Sequence, residues 1–382
     1  MMTEPRPVGL YLHVPFCLKK CPYCDFYSLP LAPGLAEDYT GALLRALRWP
    51  GMEALSFDTV YFGGGTPYLL GPERIARLLD ALGAKILPGA QITLEANPTD
   101  VTAGGLALLR RSGVDRLSMG MQSADEGELA ALGRRHTAGE AARAVQLAAE
   151  AGFEDLSLDV MLATPGQTRQ SLGRTLEFAA ALPVSHLSAY LLKIEEGTPF
   201  ARQHAERLCP GEEETAGLYL FAVRRLEELG FRQYEISNFA RNGHVSRHNL
   251  KYWRGEEYLG LGPGAHSFLA GRRFFFPRDL AAFLAAEEPF SLAVPDGAGG
   301  TLQEAVMLGL RLSEGIDPAA LEKRFSVGMA GLRARAGDLC AHGLARWQGG
   351  RLALTPEGFL LSNAAIAYLL ETLPDPPAAP EG

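Results

Sequence analysis

Residues 8–24 read Val8-Gly-Leu-Tyr-Leu-His-Val-Pro-Phe-Cys17-Leu-Lys-Lys-Cys21-Pro-Tyr-Cys24, an apolar run that gives way at once to three closely spaced cysteines. A thiolate prefers soft metals, and spacings of four and three residues let one loop wrap three sulfurs around a single corner. Three sulfurs do not complete a four-ligand site. In a 4Fe-4S cluster they leave one iron open to a small molecule. In a structural zinc site the fourth ligand would be His13 or a remote cysteine. Cys209 and Cys340 stand alone, so the set suits a metal site in a reducing compartment better than a disulfide framework.

Outward from this loop, residues 8–193 alternate β-type runs with helical patterns. The expected strands are Val8–Val14, Phe57–Phe62, Gln91–Ala96, Asp115–Gly120, Asp155–Leu162 and His186–Leu192. Helix-like stretches fall at Leu35–Trp49, Glu73–Leu82, Ala103–Arg111, Ala138–Ala151 and Ser171–Leu182, with apolar residues at three- and four-residue intervals. Such alternation implies right-handed crossovers and a parallel sheet. A closed eight-unit barrel takes about 250 residues, so six units in this span predict an α/β fold with a partial (β/α)6 TIM-type barrel. A doubly wound sheet is the alternative. Residues 194–294 form a less regular extension, with a helix near Glu212–Leu229 and a strand around Gln233–Ile236. The run Pro295–Gly300 reads as a linker. Residues 300–372 read as a smaller α+β, winged-helix-like domain: helices at Leu302–Leu312, Pro318–Phe325 and Met329–His342, a hairpin about Gly349-Gly350, and a last helix from Thr355. Residues 1–7 are a short extension, and the Pro-rich tail 373–382 is expected to be disordered.

The chain has 382 residues, 36 Lys+Arg against 44 Asp+Glu, and a formal charge of −8. Its hydrophobic share of 47% is ordinary for a folded protein and excludes wholesale disorder. No basic run supplies a face for nucleic acid. The C-terminal module, with seven Lys/Arg and seven Asp/Glu over 301–372, is neutral, which counts against DNA recognition. No apolar stretch approaches the roughly 20 residues of a membrane span, and the N-terminus lacks the pattern of a signal peptide. A cytoplasmic location is expected.

Cys-x3-Cys-x2-Cys after a first strand, with Tyr23 before the third cysteine, resembles the radical S-adenosylmethionine (radical SAM) enzymes. The resemblance implies a 4Fe-4S cluster on Cys17, Cys21 and Cys24, with the methionine moiety of S-adenosylmethionine on the open iron. In that family an electron from the cluster cleaves the sulfonium to a 5′-deoxyadenosyl radical. Gly63-Gly64-Gly65-Thr66-Pro67 looks like the family's methionine-binding motif, with Gly64, Gly65 and Thr66 nearest the amino group. Glu95 would accept from the methionine ammonium, Gln122 and Asp159 would hold the ribose, and Arg134 would pair the carboxylate, with Arg135 the competing cation. Tyr11 and Tyr23 would pack beside cluster and adenosine, and Lys193 would lie at the adenine end.

The resemblance continues beyond the barrel. Tyr234-Glu-Ile-Ser-Asn-Phe-Ala240, His248-Asn-Leu-Lys-Tyr252-Trp253 and Tyr258-Leu-Gly-Leu-Gly-Pro-Gly-Ala-His266-Ser267 look like the oxygen-independent coproporphyrinogen III oxidase group. Within it they are most similar to the HemW-type heme chaperones, and Glu304–Gly315 resembles the start of that group's C-terminal domain. Two departures separate the chain from genuine oxidases: Phe26 replaces a fourth cysteine, and only sixteen residues precede Cys17. Both argue against oxidative decarboxylation of propionates, which remains the competing enzymatic reading. The resemblance implies a heme-binding protein that delivers heme to respiratory hemoproteins, with transient contact to membrane proteins. His248 would ligate heme iron while Tyr252 and Trp253 stack on the macrocycle; His266 is the second candidate ligand. Within the barrel, Met161-Leu-Ala-Thr-Pro165 departs from the group's common Ile-Tyr-Gly-Leu-Pro.

Overall fold

A computed structural model of the chain describes residues 6–374. Six parallel strands stand side by side in chain order: β1 (Arg6–Val14), β2 (Leu55–Gly64), β3 (Ile86–Ala96), β4 (Arg116–Gln122), β5 (Asp155–Leu162) and β6 (His186–Leu191). The helices α1 (Leu35–Ala46), α2 (Pro72–Leu82), α3 (Ala103–Arg111), α4 (Ala138–Glu150) and α5 (Arg169–Ala181) connect them, and α6 (Glu212–Glu228) follows β6. A doubly wound sheet would reverse its strand order at a switch point. Here the order of the six never reverses, and α1 touches α2, α2 touches α3, α3 touches α4 and α5 touches α6. The fold is therefore the partial (β/α)6 barrel, wound on one side.

Strand alternation separates two environments. Val60, Phe62, Leu94, Leu117, Met119, Leu158 and Leu187 are buried in the main core, whereas the intervening positions carry Thr59, Tyr61, Thr93, Glu95, Arg116, Ser118, Ser157, Asp159 and His186. These polar side chains partner one another: Arg116 pairs with Asp155, and His186 bridges Ser157 Oγ at 2.7 Å and Tyr234 Oη at 2.8 Å. Such bonded networks are rigid, because each unmade bond would leave a costly buried group; the buried Thr93 Oγ1 has no such partner.

Further strands widen the sheet on both sides. β7 (Arg232–Glu235) and β8 (Asn238–Ala240) continue it antiparallel beyond β6. The chain then crosses back through α7 (Arg247–Arg254), which packs on β2, and enters β9 (Tyr258–Leu261), parallel to β1. β10 (His266–Leu269), β11 (Arg272–Phe275) and β12 (Val294–Ala298) complete an antiparallel meander. β12 corrects the linker expected at Pro295–Gly300. Proline and glycine are turn signals, but an exposed edge strand tolerates both, and Pro295 and Ala298 pair with Phe274 and Arg272.

The C-terminal module contains α8 (Leu302–Gly309), α9 (Pro318–Phe325), α10 (Ala330–Ala341), a hairpin of β13 (Ala345–Gln348) and β14 (Arg351–Leu354), then α11 (Pro356–Leu360) and α12 (Ser362–Leu370). Gly349 and Gly350 supply the positive φ of the hairpin turn. The module is tied to the barrel extension by an isolated bridge from Glu235 to Leu312 and by Ile236 N donating to Arg311 O at 3.0 Å. Of the expected terminal segments, 1–5 and 375–382 lie outside the described residues, Arg6 and Pro7 belong to β1, and Leu373 packs half-buried on the core.

Candidate functional site

A cavity of about 160 Å³ opens at the carboxyl ends of the barrel strands. Cys17, Cys21 and Cys24 line it together with Tyr23, Gly64, Gly65, Thr66, Glu95, Gln122, Arg134 and Asp159. The glycine strap is pinned to the cysteine loop: Gly65 N donates to Val14 O at 2.9 Å and Thr66 N to Phe16 O at 2.7 Å. A Cβ at Gly65 would lie 2.5 Å from Phe16 O, so only glycine lets the two backbones approach this closely. Thr66 Oγ1 is 3.7 Å from Cys17 Sγ.

The thiols of Cys17 and Cys24 are pushed up by burial, so loading a metal there releases protons. Among the described residues no three His, Cys, Asp or Glu side chains converge on one ion position. The three cysteines instead share the wall of one cavity. His13, the alternative zinc ligand, has Nδ1 3.0 Å from Tyr11 Oη and Nε2 3.0 Å from Tyr27 O. Both its nitrogens are engaged.

The carboxylates sit where sequence reading put them. Glu95 accepts from Tyr61 Oη at 2.7 Å and from Gly64 N at 3.2 Å, with no cation among these partners. Loss of water pushes it up to about 7, and burial likewise raises Asp159 to about 6. An ammonium group would restore the ionised form of Glu95. Asp159 accepts from Ser118 Oγ at 3.3 Å. Gln122 adopts a left-handed φ of 70° just after a pairing irregularity at Gly120. Such a bulge re-aims a side chain, and Gln122 Oε1 accepts from Tyr190 Oη at 3.2 Å.

Arg134 is the most connected residue of the wall. Its Nη1 lies 3.4 Å from both Cys21 Sγ and Tyr23 Oη, and its Nη2 donates to Gly120 O at 2.7 Å and Asn97 Oδ1 at 3.0 Å. Its Nε is buried without a partner, one donor left for an incoming acceptor. Arg135 is exposed and does not line this cavity. Asn97, Tyr61, Ser118 and Tyr190 escaped sequence reasoning. The period-two pattern carries a signal for three of them: Ser118 pairs in register with Glu95, and Tyr61 and Tyr190 lie on the polar face.

Two expected residues fall elsewhere. Lys193 is 79% exposed, ion-paired with Glu195 at 2.7 Å, and does not line the cavity. It stands beyond the end of β6, where direction is no longer fixed by the strand. Tyr11 borders a second cavity of about 290 Å³, lined also by His13, Phe26, Tyr27, Tyr252, Tyr258, Gly264, His266 and Arg278. Phe26 borders both cavities.

His248 is not accessible in either. It is 1% exposed, with Nδ1 2.8 Å from Thr59 Oγ1 and Nε2 2.8 Å from Tyr252 Oη, and burial lowers its pKa to about 3. Gly9 makes room for it: a Cβ there would meet His248 Cε1 at 3.0 Å and Lys251 Cδ at 2.9 Å. Lys251 is itself buried between Asp58 at 2.8 Å and Glu256 at 3.1 Å. The His-Asn-x-x-Tyr-Trp segment thus forms α7, whose histidine braces the barrel and whose Tyr252 faces the second cavity. Trp253 is half-buried and lines neither cavity.

The radical SAM superfamily description matches residues 11–179 and the HemN C-terminal domain matches residues 301–361. A heme chaperone HemW from Mycobacterium tuberculosis (strain CDC 1551 / Oshkosh) is 39% identical over 378 residues, covering 96% of this chain and 95% of its own. The heme chaperone HemW of Bacillus subtilis (strain 168) is 33% identical over 95% of this chain and 99% of its own. Among solved structures, the radical SAM coproporphyrinogen III oxidase HemN from Escherichia coli superposes with a TM-score of 0.80 at 22% identity, over 96% of this chain and 90% of that one. That match speaks to the fold, while identity sustained along nearly the whole length of both HemW relatives places this chain in the HemW family of the radical SAM superfamily.

Proposed function

We propose that this chain is a cytoplasmic heme chaperone that takes up heme as cargo and keeps a 4Fe-4S cluster with S-adenosylmethionine beside it. The HemW relatives are named for heme chaperoning, and residues for both resident groups are present. Cys17, Cys21 and Cys24 would each hold one iron. Glu95 would take the methionine ammonium and Arg134 the carboxylate through its free Nε. Gln122 and Asp159 would take the ribose hydroxyls, and Tyr23 would pack beside the adenosine. When bound, the cluster and the sulfonium supply one-electron chemistry. The chain's own residues orient these groups, and the apolar cluster of Leu132, Met161 and Phe200, against which Tyr23 and Tyr190 pack, excludes water from one side.

The observation that carries the reading is the pair of cavities. One is built of thiols and charges, the other is mostly aromatic, and Phe26 borders both. Radical chemistry needs its substrate in the cofactor's own cavity; cargo needs a separate seat. Tyr252 supplies part of that seat, and His248 braces it through the hydrogen bond to its hydroxyl. The acceptors are respiratory hemoproteins, met in passing at the membrane. The completeness of the cofactor wall favours one second reading, a radical SAM reaction such as coproporphyrinogen III oxidation.

One anaerobically reconstituted sample tests both. The chaperone reading requires stoichiometric hemin binding and no vinyl product from coproporphyrinogen III with S-adenosylmethionine and reductant. Vinyl product without hemin binding replaces it with the oxidase.

A further inference from the structure

The second cavity contains one imidazole free to meet iron, and it is not the one the sequence motif nominates. The inference rests on the heme-carrier reading and concerns where the cargo sits. We propose that His266 is the axial ligand of the bound heme, with Arg278 pairing a propionate and the tyrosines of the cavity facing the macrocycle.

Three observations carry this. First, of the histidines near the cavity, His13 and His248 have both ring nitrogens engaged and are 5% and 1% exposed. His266 is 61% exposed and its ring makes no hydrogen bond among the described residues. Second, the ring is oriented. It stacks on Phe275 with centroids 5.3 Å apart and planes 24° apart, and Asp296 Oδ2 lies 4.0 Å from its Nδ1. At that distance Asp296 is an ion-pair neighbour and not a hydrogen-bond partner, so both ring nitrogens stay free. Third, the backbone delivering it is held. A Cβ at Gly260 would lie 2.1 Å from His266 O, and one at Gly262 would lie 2.4 Å from Tyr39 Oη. Ala265 O accepts from Phe276 N at 2.9 Å.

The chemistry of the rest suits an iron porphyrin. The cavity's volume of about 290 Å³ is at the lower end of cavities that hold small molecules. Tyr252 and Tyr258, edge to face at 4.6 Å, and Tyr27 present aromatic surface for a flat ring. Arg278 is exposed at the cavity and matches a carboxylate in geometry and charge. Phe26, 67% exposed, is where cargo and cofactor approach each other.

The test is a hemin titration of the reconstituted full chain, followed by its Soret and EPR spectra, for wild type, His266→Ala, His248→Gln and Arg278→Ala. The proposal expects His266→Ala to lose the wild-type ligand spectrum and at least about tenfold in affinity, the size of a lost coordination or charge-assisted contact. Added free imidazole restores the spectrum, which a merely structural role would not do. His248→Gln keeps the spectrum, and Arg278→Ala weakens hemin without changing it. A folded His266→Ala protein with unchanged spectrum and affinity overturns the assignment, as does loss of the spectrum in His248→Gln alone. A wild-type chain that takes up no hemin refutes the carrier reading itself.

Discussion

The two cavities differ in how their residues are assembled. The cofactor cavity takes its side chains from one edge, the carboxyl ends of β1 to β6 and the loops that follow, so each strand contributes about one functional group near a fixed depth. The aromatic cavity is put together from β1, the loop after the cysteines, α7, β9 and the meander beyond it. In the first, position along a strand dictates position in the site. In the second, packing of α7 decides that Tyr252 faces the cavity while His248, four residues earlier, is consumed as a brace. A motif on a strand end declares its role; a motif on a packed helix declares only its neighbours.

This contrast predicts a graded set of losses. Cys21→Ala should abolish cluster assembly, with iron and sulfide after reconstitution falling to background, because two thiolates cannot hold the cluster against exchange. Glu95→Gln should weaken S-adenosylmethionine by ~10–100-fold, as loss of a charge-assisted hydrogen bond does. Calorimetry would measure it. The wild-type affinity should itself rise as pH passes upward through about 7, since Glu95 must be ionised to meet the ammonium, and Glu95→Gln should flatten that dependence. Protonated in the fold, Glu95 stabilises the ligand-free protein below its ordinary carboxylate range, and that stability is lost as pH rises through about 7.

His248→Ala should cost about 2–4 kcal/mol in denaturant unfolding, from a buried cavity and two orphaned hydroxyl partners. Its effect on hemin should come only through the displaced Tyr252. The smallest effect belongs to Lys193→Ala. A solvent-exposed ion pair is worth less than about 1 kcal/mol to stability, and Lys193 does not line the cavity of the cysteines, so S-adenosylmethionine affinity should be essentially unchanged.

The same contrast explains what could be read in the sequence. The six strands were legible because apolar outward positions alternate with polar inward ones, and Cys17, Gly65, Glu95, Gln122 and Asp159 all border one cavity because they stand at or just after the ends of successive strands, with Arg134 in the connection that follows Gln122. Lys193 was misplaced because it lies past the last hydrogen-bonded residue of β6. Pro295–Gly300 reads as a linker because proline and glycine signal turns whether or not a neighbouring edge is there to pair with. The free state of His266 and the engaged state of His248 depend on Thr59, Gly9 and Asp296, residues remote in sequence that no local pattern connects.

The central claim is that cargo and cofactor occupy separate, adjoining seats. Hemin titrated into the reconstituted chain already saturated with S-adenosylmethionine tests it most directly. The account predicts that hemin still binds stoichiometrically, with its affinity changed less than tenfold and S-adenosylmethionine retained. Displacement of S-adenosylmethionine by hemin, mole for mole, would place both in one cavity and contradict it.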